Sequence, residues 1–63
     1  MKEWKKEEIR KFRKTLGLSQ EEFAKLLGVS RVYVMMLETG KRKPSSVLKK
    51  LLDCLEERQR KNG

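Results

Sequence analysis

The stretch SQEEFAKLLGVSRVYVMMLETG, residues 19 to 40, reads as two short helices joined by a minimal link. It opens on SQEE, where the Ser19 hydroxyl can accept a hydrogen bond from the amide of Glu22 while the Glu22 carboxylate reaches back to the amide of Ser19. Phe23, Ala24, Leu26 and Leu27 supply a buried side for the segment that follows, and Gly28 stops it. Ser30 is placed to cap a second segment, which Gly40 closes. Only GVS separates the two, and so short a link containing a glycine forces a sharp crossing rather than a parallel hairpin.

The second segment carries two faces. At ~100° per residue Val34, Leu37 and Glu38 fall on one side, while Arg31, Val32, Met35 and Met36 fall on another. The first set suits a core. The second leaves three apolar side chains where a small core has no use for them. Glu38 adds a constraint, because an acid on the inward side needs a cationic partner or becomes a costly buried charge.

Working outward, a helix is predicted from about Lys6 to Thr15, with Ile9, Phe12 and Leu16 on one side and Gly17 ending it. With Lys5 as a poor N-cap, Trp4 lies one residue before the cap and Ile9 at the fourth helical position, the pairing that staples a helix start; packing is therefore the expected role of Trp4. After Gly40 comes KRKPSS, a basic loop broken by Pro44. A last helix is predicted from Ser45 or Ser46 to Arg58, with Val47, Leu48, Leu51, Leu52 and Leu55 as its stripe, and RQRKNG as a frayed polar tail over about 59–63. Repeats, strand signals and linkers are absent from the sequence. The expected architecture is all-α, one compact four-helix domain over residues 1–63.

Composition narrows the function. The chain has 63 residues, and one this short buries only ~60% of the surface its unfolded form exposes, leaving no room for a deep pocket. Charged residues make up 41% and apolar residues 37%, which is consistent with a soluble helical domain. No apolar run approaches the ~20 residues that span a bilayer, and the Lys- and Glu-rich start lacks the apolar segment of a signal peptide, so a cytoplasmic location and no membrane contact are expected. There is one cysteine, Cys54, and no histidine. An internal disulfide is excluded, and neither a metal site, a cofactor nor an enzyme is expected from so thin a catalytic inventory. Cys54 is expected to behave as a small buried hydrophobe. Seventeen Lys and Arg against nine Asp and Glu leave a net charge of +8, a potential that attracts polyanions, and Lys41, Arg42, Lys43, Lys49 and Lys50 occur with no acid from 39 to 52. The plainer account of that charge is a solvated, solubilising face.

The run from Ile9 to Ser45 resembles the phage-repressor-like helix-turn-helix family, the Cro, lambda-repressor and XRE group of DNA-binding proteins. The matching residues are IRKFRKTLGLSQEEFAKLLGVS, then Val34, Leu37, Glu38, Gly40 and KPS at 43 to 45, with the helix-turn-helix itself at 19–38. The resemblance implies a lambda-repressor-like fold in which the chain leaves room for no more than a vestigial fifth helix. It implies that the third helix enters the major groove of double-stranded DNA while the second spans the phosphates, as in a transcriptional regulator. Arg31, Val32, Met35 and Met36 then occupy the positions that members use to read bases. Gln20 matches the family glutamine that hydrogen-bonds a phosphate, and Lys41, Arg42 and Lys43 should follow the backbone. Tyr33 has two expectations of equal weight, a phosphate contact or packing against the last helix. Arg13 and Glu38 match a pair of positions that members join in an ion pair.

One departure opens a second reading. Most relatives put amides, hydroxyls or cations at the base-reading positions, whereas here only Arg31 can match the donors and acceptors of a base edge, by a two-pronged contact with guanine. Val32, Met35 and Met36 can pack only on thymine methyls, or else they form a protein-docking patch, as in an adaptor, an antitoxin-like module or a homodimer. Leu52, Leu55 and Cys54 on the last helix are the candidate homodimer surface.

Overall fold

The computed structural model describes residues 3–62, the side chain of Asn62 excepted; residues 1, 2 and 63 of the expected domain, and with them the last residue of the expected tail, lie outside the described residues. Four helices follow one another: α1 (Lys6–Thr15), α2 (Gln20–Leu27), α3 (Arg31–Thr39) and α4 (Ser46–Asn62). The described residues contain no strand.

Local chemistry accounts for most of these boundaries. The reciprocal cap of α2 forms, with the Glu22 amide donating to Ser19 Oγ at 3.1 Å and the Ser19 amide donating to Glu22 Oε1 at 2.9 Å. Ser30 caps α3 by accepting from the Tyr33 amide at 3.1 Å, and Ser45 caps α4 by accepting from the Leu48 amide at 3.2 Å. Gly28 closes α2 at φ +75°, a left-handed conformation open to glycine and strained for side chains. That turn lets the Val29 amide return to the Ala24 carbonyl at 2.9 Å and reverses the chain toward α3. α1 is the exception, since Lys5 makes no side-chain cap. Acids in its first turn and bases in its last favour the helix dipole, but tertiary packing of Trp4 supplies what the cap does not.

The core gathers Trp4, Ile9, Phe12, Phe23, Ala24, Leu27, Val34, Leu37, Leu48 and Leu52, so every helix contributes. Its spine is a run of edge-on rings: Trp4 to Phe12 at 5.5 Å between centroids and Phe12 to Phe23 at 6.2 Å. Such pairs add about 0.5–1.5 kcal/mol each beyond their burial. Trp4 and Ile9 are both buried as the staple pattern requires, and Trp4 also meets the Phe12 ring. The Trp4 indole Nε1 also donates to Asp53 Oδ1 at 2.7 Å, joining the chain start to α4.

Four expectations are corrected. α4 does not end at Arg58 but runs on to Asn62, so the segment read as a frayed tail is helical through that residue. Glu56 and Arg60 pair at 3.5 Å and Glu57 and Lys61 at 3.7 Å, acid before base at the i, i+4 spacing that supports a helix, and the basic last turn suits the dipole. Leu26, expected inside, is 46% exposed, and Val47 is 76% exposed. Each lies about 100° of helical rotation from a fully seated neighbour, Leu27 or Leu48, and a core this small admits only a narrow stripe of each helix. Cys54 is exposed rather than buried, because Leu48 and Leu52 already fill the space facing α4.

The cap makes stability depend on pH. The Glu22 carboxyl is held below its ordinary value, first by the Ser19 amide and then by the Ser19 hydroxyl; desolvation opposes them in part, and Lys25 adds a still smaller lowering. A folded-state value below the unfolded one means that the stabilisation is present above the ordinary carboxylate range and is lost as pH falls through the lowered value. Thermal unfolding by circular dichroism should therefore find Glu22→Gln less stable than the parent at neutral pH, with the gap closing below about pH 4.

Candidate nucleic-acid interface

α3 is held by one end of its inward face. The Arg13 guanidinium on α1 grips the Glu38 carboxylate with two prongs, Nε to Oε2 at 2.7 Å and Nη2 to Oε1 at 3.2 Å. Its remaining nitrogen, Nη1, donates to the Leu18 carbonyl in the α1–α2 turn at 2.9 Å. Gln20, the first residue of α2, donates its side-chain amide to Glu38 Oε1 at 3.3 Å. The pair is largely withdrawn from water, the Arg13 and Glu38 side chains being 14% and 5% exposed. A carboxylate so placed needs these donors, and they come from α1 and α2, so Glu38 joins α1, the α1–α2 turn and α2 to the last turn of α3.

This anchor works together with Val34 and Leu37, both buried, to set the rotation of α3 about its axis. The opposite face is the consequence. Arg31 is exposed at the first helical position, Val32 and Met35 are 48% and 42% exposed, and Met36 is half-buried beside them. No acid lies among residues 31–37. Tyr33 is half-buried and packs against the core.

The flanking basic residues lie in the loop after α3. Lys41, Arg42 and Lys43 are all exposed. The Lys41 amide donates to the Met36 carbonyl at 2.9 Å as the chain turns at Gly40, whose φ of +84° is again a glycine conformation. Arg42, Lys43, Pro44 and Lys49 line a surface cleft together with Lys5 and Lys6, and Glu3 and Glu7 also line it. Lys5 and Lys6 carry no motif that marks them in the sequence. They become part of this basic surface only because α1 begins next to the loop, the Lys6 stem lying against Gly40.

Gln20 opens α2 and is half-buried. The expectation drawn for it is a phosphate contact; in the structure its amide donates to Glu38, a bond that residue spacing alone does not reveal. A side-chain amide has two N–H donors, so the contact occupies part of its capacity.

Among the described residues no group of His, Cys, Asp or Glu could hold a metal ion. Among the same residues no helix is long and apolar enough to cross a membrane.

A helix-turn-helix family model matches residues 9–57, a span that includes the Arg13–Glu38 bridge, all of α2 and α3 and most of α4. The chain belongs to the helix-turn-helix family, of the XRE type. Two archaeal proteins and one bacterial protein are similar to this helix-turn-helix chain. An "Uncharacterized HTH-type transcriptional regulator" of Methanothermobacter thermautotrophicus is 50% identical over 40 residues, 64% of this chain and 58% of the relative. One of the same description from Archaeoglobus fulgidus is 51% identical over 37 residues, 59% of this chain and 53% of the relative. The "Uncharacterized HTH-type transcriptional regulator YqaF" of Bacillus subtilis is 40% identical over 50 residues, 79% of this chain and 60% of the relative. The matched part of the chain thus spans little more than half the length of these curated relatives. No solved structure matches it.

If Glu38 depends on Arg13, removing the guanidinium leaves a carboxylate inside with too few donors, at a cost of about 3–5 kcal/mol. Arg13→Ala should lower the thermal midpoint far more than Lys14→Ala, its exposed neighbour on α1. Equal shifts in differential scanning calorimetry would remove the bridge from this account.

Proposed function

We propose that this helix-turn-helix domain binds double-stranded DNA as a transcriptional regulator, with α3 in the major groove and α2 across the phosphates. The observation that carries the reading is the rotation of α3: Val34 and Leu37 are buried and Glu38 is bound by Arg13, which leaves Arg31, Val32 and Met35 outward on a chain of net charge +8. Arg31 supplies the one charged fork on that face, and its geometry suits the O6 and N7 acceptors of guanine. Val32, Met35 and Met36 complete the surface against the bases. Lys41, Arg42 and Lys43 supply cations for the backbone, the free amide hydrogen of Gln20 a neutral donor beside a helix N-terminus, and Tyr33 a hydroxyl at the groove edge. The role is binding without a catalytic step, in the cytoplasm.

A homodimer belongs to the same proposal. Val47 and Cys54 are exposed on α4 with Leu51 and Leu55 half-buried beside them, at spacings that share one helix side. A two-fold protein reads a two-fold DNA site. Leu52, included in the expected dimer surface, is buried in the core and is not part of it. Sedimentation equilibrium should then show a second copy associating and Val47→Lys keeping the chain monomeric; a parent that stays monomeric at every concentration rejects the dimer.

The exposure of Val32 and Met35 also favours a second reading, an antitoxin-like or adaptor module docking a protein through that patch. Salt separates the two. Binding of a DNA duplex releases counterions, so log affinity should fall against log salt with a slope near −0.9 for each phosphate neutralised. Lys41→Ala should flatten that slope by about one unit, and Arg31→Ala should relax base preference at one position by about 1–3 kcal/mol. Affinity for duplexes that is absent, or indifferent to salt, would reject DNA binding.

A further inference from the structure

The outer face of α3 has a narrow chemistry. Arg31 contributes a cation at its start and Thr39 a hydroxyl in its last turn, which donates to the Met36 carbonyl at 3.3 Å; the exposed surface between them is Val32 and Met35, with Met36 half-buried alongside. Residues 31–36 include no carboxylate and no side-chain amide, and the only hydroxyl among them belongs to Tyr33, whose ring packs against the core. Such a surface gains free energy on leaving water only where its partner is also apolar. The charge around it points to a polyanion: Lys41, Arg42 and Lys43 follow directly on the same segment, and the chain carries +8 overall.

In the major groove one base feature combines those demands. Thymine presents a C5-methyl group, whereas cytosine presents an amino donor and adenine an amino donor beside an acceptor. Against Val32, Met35 and Met36 those amino groups would lose water and meet no acceptor, which disfavours them. A thymine methyl meets carbon and sulfur atoms and loses nothing. Methionine adapts to the local spacing of methyl groups because its three rotatable bonds end in a polarizable thioether.

We infer that the Val32, Met35 and Met36 face of α3 selects duplexes by thymine C5-methyl groups next to a guanine held by Arg31. The inference rests on the DNA reading proposed above and deepens it, from binding of duplexes in general to recognition through methyl burial. It assigns selectivity to the apolar residues and leaves Arg31 to fix the register.

The test replaces thymine by uracil, which removes the methyl and keeps the O4 acceptor and the pairing. Duplexes enriched from a random pool by the full chain are remade with uracil throughout the bound site, and affinity is read by fluorescence anisotropy across a salt series. The enriched sites should place thymines beside a guanine. The uracil form should bind about fourfold more weakly for each methyl in contact, more than tenfold for two, with the same salt slope because the phosphates are unchanged. The double variant Val32→Ala/Met35→Ala shortens two exposed side chains, so circular dichroism should show an unaltered fold, and it should discriminate between the thymine and uracil duplexes less than the parent does, Met36 being retained. Equal affinity of the parent for both forms overturns methyl recognition while salt-dependent DNA binding stands. Undiminished discrimination by the double variant overturns the assignment to these residues. A parent that binds no duplex in a salt-dependent way overturns both the inference and the reading beneath it.

Discussion

A carboxylate on the inward side of a helix must be paired, and in this chain the pairing sets the orientation of everything else on α3. Glu38 is held by both prongs of the Arg13 guanidinium and by the Gln20 amide. The remaining Arg13 donor goes to the Leu18 carbonyl, so the same side chain also fixes the turn between α1 and α2. Hydrophobic burial of Val34 and Leu37 gives α3 an inward side but tolerates some rotation, since apolar contact has little directionality. Two directed hydrogen bonds to one carboxylate tolerate it less. The outward direction of Arg31, Val32 and Met35 follows from that constraint rather than from any preference of their own.

The economy of a small core explains the rest of the arrangement. Phe23, Ile9, Leu37, Leu52 and Val34 are the largest fully buried side chains, and little interior remains beyond them and their immediate neighbours. Apolar residues outside this set are left at the surface, as Leu26, Val32, Met35 and Val47 are. The chain start is drawn in as well: Trp4 contributes its ring to the aromatic run and its N–H to Asp53, which offsets the weakness of the Lys5 cap on α1.

Much of this was legible in the residues. Ser19, Glu22 and Ser30 state where α2 and α3 begin, and Gly28 and Gly40 state where they end, because caps and left-handed turns are local chemistry that needs no distant partner. The two-faced pattern of α3 was legible too, and with it the outward placement of Arg31, Val32 and Met35, Met36 being half-buried. Less legible was the width of each buried stripe. Periodicity assigned Leu26 and Val47 to the interior because both are apolar and near the right angle, and it cannot count how many side chains a core of this volume accepts. The end of α4 was misread for a different reason: Arg58 to Lys61 looks like a polar tail until Glu56 and Glu57 are seen to reach Arg60 and Lys61 along the helix surface.

The amino-acid sequence by itself determined four helices, the caps of α2 and α3, the short link between them and an excess of positive charge, since each depends on neighbours within a few positions or on composition alone. Only the tertiary structure decided that Gln20 turns to Glu38, that Trp4 is bonded to Asp53, that Cys54 lies outside, and that Lys5 and Lys6 meet the basic loop after α3. The physical reason is sequence distance. Contacts between residues far apart in the chain exist only once the helices have packed, and which donor reaches which acceptor is then set by a core whose shape no short window of residues contains.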